Sequence, residues 1–323
     1  MESVDTPIIS VLMSVYNEPL EWIRQSIDSI LAQTYSDFEF IIVNDNPTSA
    51  ELCKFLSDFK NKDSRIKVIT NPENLGLTKS LNIGLEQCRG KYIARMDADD
   101  ISLPERFEKQ VEFLDCSPGI GVCGSYANMI DENNNIIGRF KLQSKSEDLK
   151  NAICFLVPFV HPTVMMRREI ILKNYYDEKC IIAQDYNLWL KLSETTLFYN
   201  IPEVLFDYRI HANQSKQKAG EKQSSLSMNY TDHICVEKLR LPKLLGDNFI
   251  RLRCGGKLNH SEIKELFSYI IDNSSNKEVA VYAMLSYLKN LYRQGYYMEL
   301  AKTVLYKPRL FIKALFKWAR IEF

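Results

Sequence analysis

The chain has 323 residues and 46% of them are hydrophobic, enough for a full catalytic domain, a smaller appendage and a sizeable core. Lys+Arg and Asp+Glu both number 41, so the net charge is zero. This excludes a generally basic nucleic-acid binder and makes any basic surface local. The eight cysteines form no Cys-x-x-Cys pair and have no paired histidines beside them, which argues against a zinc site or disulfide framework and for reduced thiols. Glu2 and Asp5 stand where a secretory leader would be basic, and no segment offers the ~18 uninterrupted apolar residues of a spanning helix. A cytoplasmic protein is expected.

Ile8 to Val15 reads as a buried strand that ends in the loop Tyr16-Asn17-Glu18-Pro19. Leu20, Ile23, Ile27, Ile30 and Leu31 then recur at helical spacing, Phe38 to Val43 is a second strand, and Asn44-Asp45-Asn46-Pro47 breaks it. Leu52, Phe55, Leu56 and Phe59 mark a helix, Ile66 to Ile69 a strand, Leu77 to Cys88 a helix and Lys91 to Met96 a fourth strand. Strands alternating with helices in this way imply right-handed crossovers and a mostly parallel, Rossmann-like α/β sheet covered on both faces. Ligands bind outside the carboxyl ends of such strands. Ser14 to Asn17, Asn44 to Asn46 and Asp97 to Asp100 all lie at such ends, so three polar clusters converge on one edge. Carboxylates at alternate positions in Asp97-Ala98-Asp99-Asp100 can supply oxygen ligands to Mg²⁺ or Mn²⁺, which would neutralise nucleotide phosphates; a solvated acidic loop is the alternative taken alone.

Pro104 opens a helix over Glu105 to Leu114, Ile120 to Ile130 is extended, and Asp131 to Asn135 forms a hairpin turn before Ile136-Ile137. Pro162 to Met166 and Val204 to Ile210 are further expected strands, with a helix over Ala183 to Leu192 between them. Beyond about residue 223 the pattern is helical. The expected division is a catalytic domain over 1–220, with halves 1–103 and 104–220, followed by a helical region over 221–323. Gly119 to Gly124 satisfies G-x-G-x-x-G but follows a helix and enters a strand, the reverse of a dinucleotide loop.

Together the ordered motifs resemble an inverting family 2 glycosyltransferase of GT-A fold, over roughly residues 8 to 215. They are Ser10 to Asn17, Ser29 to Tyr35, Ile41 to Asp45, Asn71 to Gly84, Gly90 to Asp100 and Gln184-Asp185. The resemblance implies that Asp45 accepts a hydrogen bond from uracil N3, with Ser14, Tyr16, Asn17 and Glu18 beside the base and ribose; an Asx turn is the alternative for Asp45. Asn44 replaces a common family aspartate. Asp99 corresponds to the metal ligand of the D-x-D motif and Asp97 to a residue either nearer the ribose or bridging through water, while Asp100 is expected to cap the turn toward Pro104. Lys79 either reaches the diphosphate from its helix start or is a solvated surface lysine. Asp185 matches the catalytic base, which takes the proton of an acceptor hydroxyl across the sugar from the metal. Gln184 departs from a frequent glutamate. His211 matches a histidine that approaches the metal or diphosphate, and His161 a position lining the acceptor side, each against a structural role. Trp189 either stacks on the acceptor sugar or packs in the core.

The implied activity is transfer of a sugar from a nucleotide diphosphate donor, UDP-linked, to a saccharide hydroxyl on a lipid-linked intermediate of a surface polysaccharide. A polyprenyl-phosphate sugar transferase and an inactive sugar-nucleotide or glycan binding module are the alternatives. Leu305 to Phe323 carries five basic residues against Glu322, with apolar residues between them. It fits either an anionic membrane interface on the inner face of the cell membrane or a helix packed on the domain.

Overall fold

The computed structural model describes residues 6–142, 144, 149, 153–212, 231–253, 256–274, 276–296, 303, 307 and 309–314. Strands β1 (Ile9–Val15) and β2 (Phe38–Asn44) are buried along their whole length, as continuous apolar runs in a covered parallel sheet must be. With β3 (Ile66–Thr70) and β4 (Tyr92–Asp97) they form the parallel block β3-β2-β1-β4, joined by helices α1 (Leu20–Leu31), α2 (Ala50–Lys62) and α3 (Leu77–Gln87). Beyond β4 the nine-stranded sheet becomes mixed. β8 (Met165–Arg167) runs antiparallel to both β4 and β6 (Ile120–Ile130), and β9 (Leu197–Arg209) pairs parallel with β6. β5 (Ile101–Ser102) ends the row on β9, and β7 (Ile136–Phe140) forms the expected hairpin with β6.

Side-chain alternation divides the core into two. Val11, Met13, Phe40, Ile42, Ala94 and Met96 face α1, α2 and α4 (Arg106–Cys116) on one side. Leu12, Ile41, Val43 and Ile93 face α3 and α6 (Gln184–Leu192) on the other. Gly84 lets α3 sit down on the sheet, since a Cβ there would lie 2.3 Å from Leu12 Cδ1 and 3.0 Å from Val43 Cγ2. The core on the α3 side continues into the C-terminal helices α7 (Lys243–Arg253), α8 (His260–Asn273) and α9 (Lys277–Arg293) through Phe249, Leu266, Phe267 and Leu288. α5 is a short helix, Arg168–Ile171. The expected boundary near residue 220 lies outside the described residues.

Three differences from expectation have local causes. The segment expected as a strand from Pro162 begins with a tight turn over His161–Thr163, because Pro162 lacks an N–H and Thr163 N–H returns to Val160 O at 3.0 Å; the strand starts at Met165. β9 is longer than Val204 to Ile210, since the ladder with β6 passes Pro202 by a register shift between Ser125–Ile201 and Tyr126–Val204. β5 is two residues long, too short for a periodic signal, yet its pairing of Ile101 with Asp207 and Ser102 with Phe206 draws the acidic turn to the end of β9.

Among the described residues no helix is long and apolar enough to cross a membrane. In the C-terminal segment, Leu310, Phe311 and Ala314 pack on the core and Lys307 Nζ meets Asp272 Oδ1 at 2.6 Å, while Arg309, Ile312 and Lys313 are exposed. Lys317, Trp318 and Arg320 lie outside the described residues.

Candidate active site

The carboxyl ends of β1, β2 and β4 lie side by side, with Ser14 in register with Val43 and Asp97. Asn44 makes the Asx turn, its Oδ1 accepting from Asn46 N–H at 2.9 Å, so Asp45 is free of that duty. Asp45 is 2% exposed and accepts from Asn71 Nδ2 at 2.7 Å, Leu75 N–H at 2.8 Å and Gly76 N–H at 2.9 Å. A carboxylate offers about four acceptor positions, so roughly one remains for a ligand donor. Gly76 is in the left-handed region at φ 84°, which aims its N–H at Asp45 as α3 begins. On the outer rim, Asn46 Nδ2 donates to Tyr16 O and to Asn17 Oδ1 at 2.8 Å, and Tyr16 N–H donates to Glu18 Oε2 at 2.8 Å. Tyr16 and Asn17 are exposed, and burial beside Asp99 and Asp97 raises the Glu18 carboxyl above its ordinary range.

Asp97, Asp99 and Asp100 each offer a carboxylate oxygen within 4.8 Å of the others. Their partners differ. Asp97 Oδ1 takes Arg95 Nη2 at 2.5 Å, Asp99 Oδ2 takes His211 Nε2 at 2.8 Å, and Asp100 Oδ1 takes Arg209 N–H at 2.8 Å. Asp100 is thus held across to β9 rather than capping a turn toward Pro104. The buried Arg209 donates to Asp99 O at 2.7 Å, Asn134 Oδ1 at 2.7 Å and Gln25 Oε1 at 2.9 Å, which ties the acidic turn to the β6–β7 hairpin and α1. Trp22 packs against both, its ring centroid 4.9 Å from that of His211 and 5.0 Å from the Arg209 guanidinium carbon. Burial raises the Asp97 carboxyl despite Arg95, and Asp99 and Asp185 raise it further. Asp100 is raised well above the ordinary range by burial, then by Asp99 and Asp97, and among the described residues its Oδ2 has no hydrogen-bond partner. Hard oxygen donors, mutual repulsion and a buried orphan oxygen fit a divalent cation, with His211 as a further ligand.

Asp185 lies in the first turn of α6, whose N-cap is Ala183 in the left-handed region at φ 56°, strain that costs about 1–3 kcal/mol and sets the entry of that helix. Its charge raises Asp97 and, after burial, Tyr176 and Tyr208, so it stands within electrostatic reach of the acidic turn. The segment before it is held by α3. Asn82 donates to Tyr176 O at 2.9 Å and accepts from Tyr176 N–H at 3.0 Å, and Thr78 Oγ1 donates to Cys180 O at 3.0 Å. The Tyr176 hydroxyl shares a 2.8 Å hydrogen bond with His161 Nε2, whose ring is kept neutral by burial and then by Arg95.

Trp189 is a core residue and not a sugar platform: it is 0% exposed, with Phe159 at 5.1 Å, His161 at 5.9 Å and Phe198 at 6.4 Å covering its ring. Lys79 is exposed between buried Thr78 and Ser80, and among the described residues no hydrogen bond or ion pair ties it to the acidic turn. Arg95, Arg209, Asn71 and Tyr176 were not singled out in sequence. The two arginines carried one available signal, a cation inside an apolar strand, which needs a buried partner.

The family model described as "Glycosyl transferase family 2" matches residues 10–176. An uncharacterised glycosyltransferase of Methanocaldococcus jannaschii, MJ1057, is 40% identical over 230 residues, covering 71% of this chain and 79% of that protein. The O-antigen biosynthesis glycosyltransferase WbnJ of Escherichia coli is 36% identical, covering 66% of this chain and 83% of WbnJ. The fold is similar to that of S. aureus TarS 1-349 in complex with UDP-GlcNAc, with TM-score 0.61, 18% identity and coverage of 89% of this chain and 92% of that one.

Proposed function

This chain belongs to glycosyl transferase family 2, and on that premise we propose that it moves a sugar from a UDP-linked donor to a saccharide hydroxyl, with inversion at the anomeric carbon. The observation that carries this reading is that Asp99, paired with His211 and grouped with Asp97 and Asp100 at the carboxyl ends of the parallel strands, lies within electrostatic reach of Asp185. Asp99 and His211 would hold Mn²⁺ or Mg²⁺, which when bound neutralises the charge that develops on the leaving diphosphate. Asp97 lies beside them for the ribose. The remaining acceptor position of Asp45 receives the uracil imide N–H, and Asn71 and Gly76 keep that carboxylate in place. Asp185 takes the proton of the acceptor hydroxyl as its oxygen bonds to the anomeric carbon and the bond to the diphosphate breaks.

WbnJ, named for O-antigen biosynthesis, and the TarS complex with UDP-GlcNAc support a polysaccharide acceptor and a UDP-sugar donor. The same proposal takes the acceptor to be a lipid-linked saccharide, met at the inner face of the membrane with the basic segment 305–323 in contact with anionic lipid. Thermal melting with Mn²⁺ and UDP or GDP tests the donor, because a ligand at ~100 times its dissociation constant stabilises by about 2.7 kcal/mol. UDP should raise the midpoint and Asp99→Ala should remove most transfer. Stabilisation by GDP alone would overturn the donor, and full activity of Asp99→Ala in EDTA would overturn the metal.

A further inference from the structure

Arg95 stands on β4 two residues before Asp97, so the two side chains leave the strand on the same face. Its side chain is 1% exposed and that of Asp97 is 29% exposed, so the guanidinium approaches the carboxylate from the interior of the protein. The residue is held at several points: Arg95 N–H donates to Val164 O at 3.0 Å, Arg106 Nη2 donates to Arg95 O at 2.9 Å, and Arg95 Nη1 donates to Leu12 O at 3.4 Å, while Nε is buried without a hydrogen-bond partner among the described residues. Among the described residues its one ion pair is with Asp97.

The three carboxylates of the acidic turn are therefore not equivalent. Asp99 is held by an imidazole and Asp100 by a backbone amide, neither a permanent cation. Asp97 Oδ1 is held by a guanidinium that the surrounding core keeps from withdrawing. A divalent cation entering the turn meets Asp97 already neutralised on one oxygen.

We propose that Arg95 is a positioning residue that withholds Asp97 Oδ1 from the divalent cation, so that the cation is held by Asp99 and His211 and coordination positions stay open for the donor diphosphate. This rests on the metal reading above and deepens it. Three free carboxylates would grip the ion without nucleotide and fill the positions that the diphosphate needs. Pairing one of them with a buried arginine keeps the bare site weak and makes cation and nucleotide bind together.

The test is calorimetric titration of Mn²⁺ into the full chain, with and without UDP, for wild type, Arg95→Met, Asp97→Asn and the double variant. Arg95→Met frees an anionic ligand and should bind Mn²⁺ alone about tenfold tighter or more, as expected for removing one charge within several ångströms of a divalent ion. The factor by which UDP tightens Mn²⁺ should fall in the same variant. Asp97→Asn leaves Arg95 unanswered and should bind Mn²⁺ more weakly. The double variant removes the pair as a unit, a change that buried ion pairs often tolerate, and should return to within about threefold of wild type.

A merely structural arginine would instead weaken Mn²⁺ and UDP together in Arg95→Met, and that result overturns the proposal. A double variant tenfold or more weaker than wild type would identify Asp97 as a direct ligand, and this also overturns it, even where Arg95→Met alone does not fold. Absence of Mn²⁺ binding by wild type with UDP present would instead remove the metal reading itself, an outcome visible in the wild-type arm alone.

Discussion

One side of the candidate site is built from the ends of β1, β2 and β4, while the side that carries Asp185 is built from an irregular segment and the first turn of α6. On the first side the parallel ladder sets the spacing, so Ser14, Asn44 and Asp97 are placed by backbone register before any side chain contributes. On the second side the placement depends on side chains reaching across from another element, with Asn82 and Thr78 of α3 holding Tyr176 and Cys180. The contrast teaches that damage should spread differently. A change near the strand ends should alter donor and cation binding with the frame intact, and a change in the α3 contacts should disturb the base while leaving the donor bound.

The strongest way to sharpen that contrast is Asp185→Asn, which keeps shape and loses proton acceptance. Turnover should fall by about 10²- to 10⁴-fold with UDP affinity nearly unchanged. Equal losses in rate and UDP binding would make Asp185 a structural residue.

Arg209→Met tests the junction of the two sides. It removes the buried cation beside Asp100 and the hydrogen bonds to Asp99 O, Asn134 and Gln25, so urea unfolding should show a loss on the order of 3 kcal/mol. Its Mn²⁺ affinity should fall as the acidic turn loosens.

Asn82→Ala leaves the buried backbone N–H and C=O of Tyr176 without their present partners, which costs about 2 kcal/mol. Transfer should drop while UDP binding, measured by calorimetry, is retained. A parallel loss of UDP binding would contradict the separation of the two sides.

The smallest expected effect is on pH dependence. The Asp97 and Asp100 carboxyls are raised in the folded state, so without metal they contribute most to stability when protonated, below the ordinary aspartate value of 3.8, and that contribution is lost as pH rises through their folded values. A divalent cation beside them favours their ionised forms. The rise in melting temperature caused by Mn²⁺ should therefore be larger at about pH 7.5 than at about pH 5. An equal rise at both would show that these carboxyls do not titrate in that window.

The alternation of strands and helices through Met96, the parallel order they imply and the convergence of three polar clusters were legible in the sequence. Periodicity reports which face of an element is buried, and runs buried on both faces admit few alternatives. The order of motifs likewise identified the family. The partner of each charge was not legible. Asp99 and Arg209 are 110 positions apart, and they meet because the two-residue β5 pairs with β9. Trp189 showed helical spacing suited to either a sugar platform or the core, and only the packing of Phe159 and Phe198 against it decided for the core. Asp45 read as a ligand for a base, and the structure added that most of its acceptor capacity already holds the loop before α3. A single sequence records which groups are present and how they repeat along the chain. Which charge neutralises which depends on distances between remote segments, and those exist only once the sheet has brought the segments together.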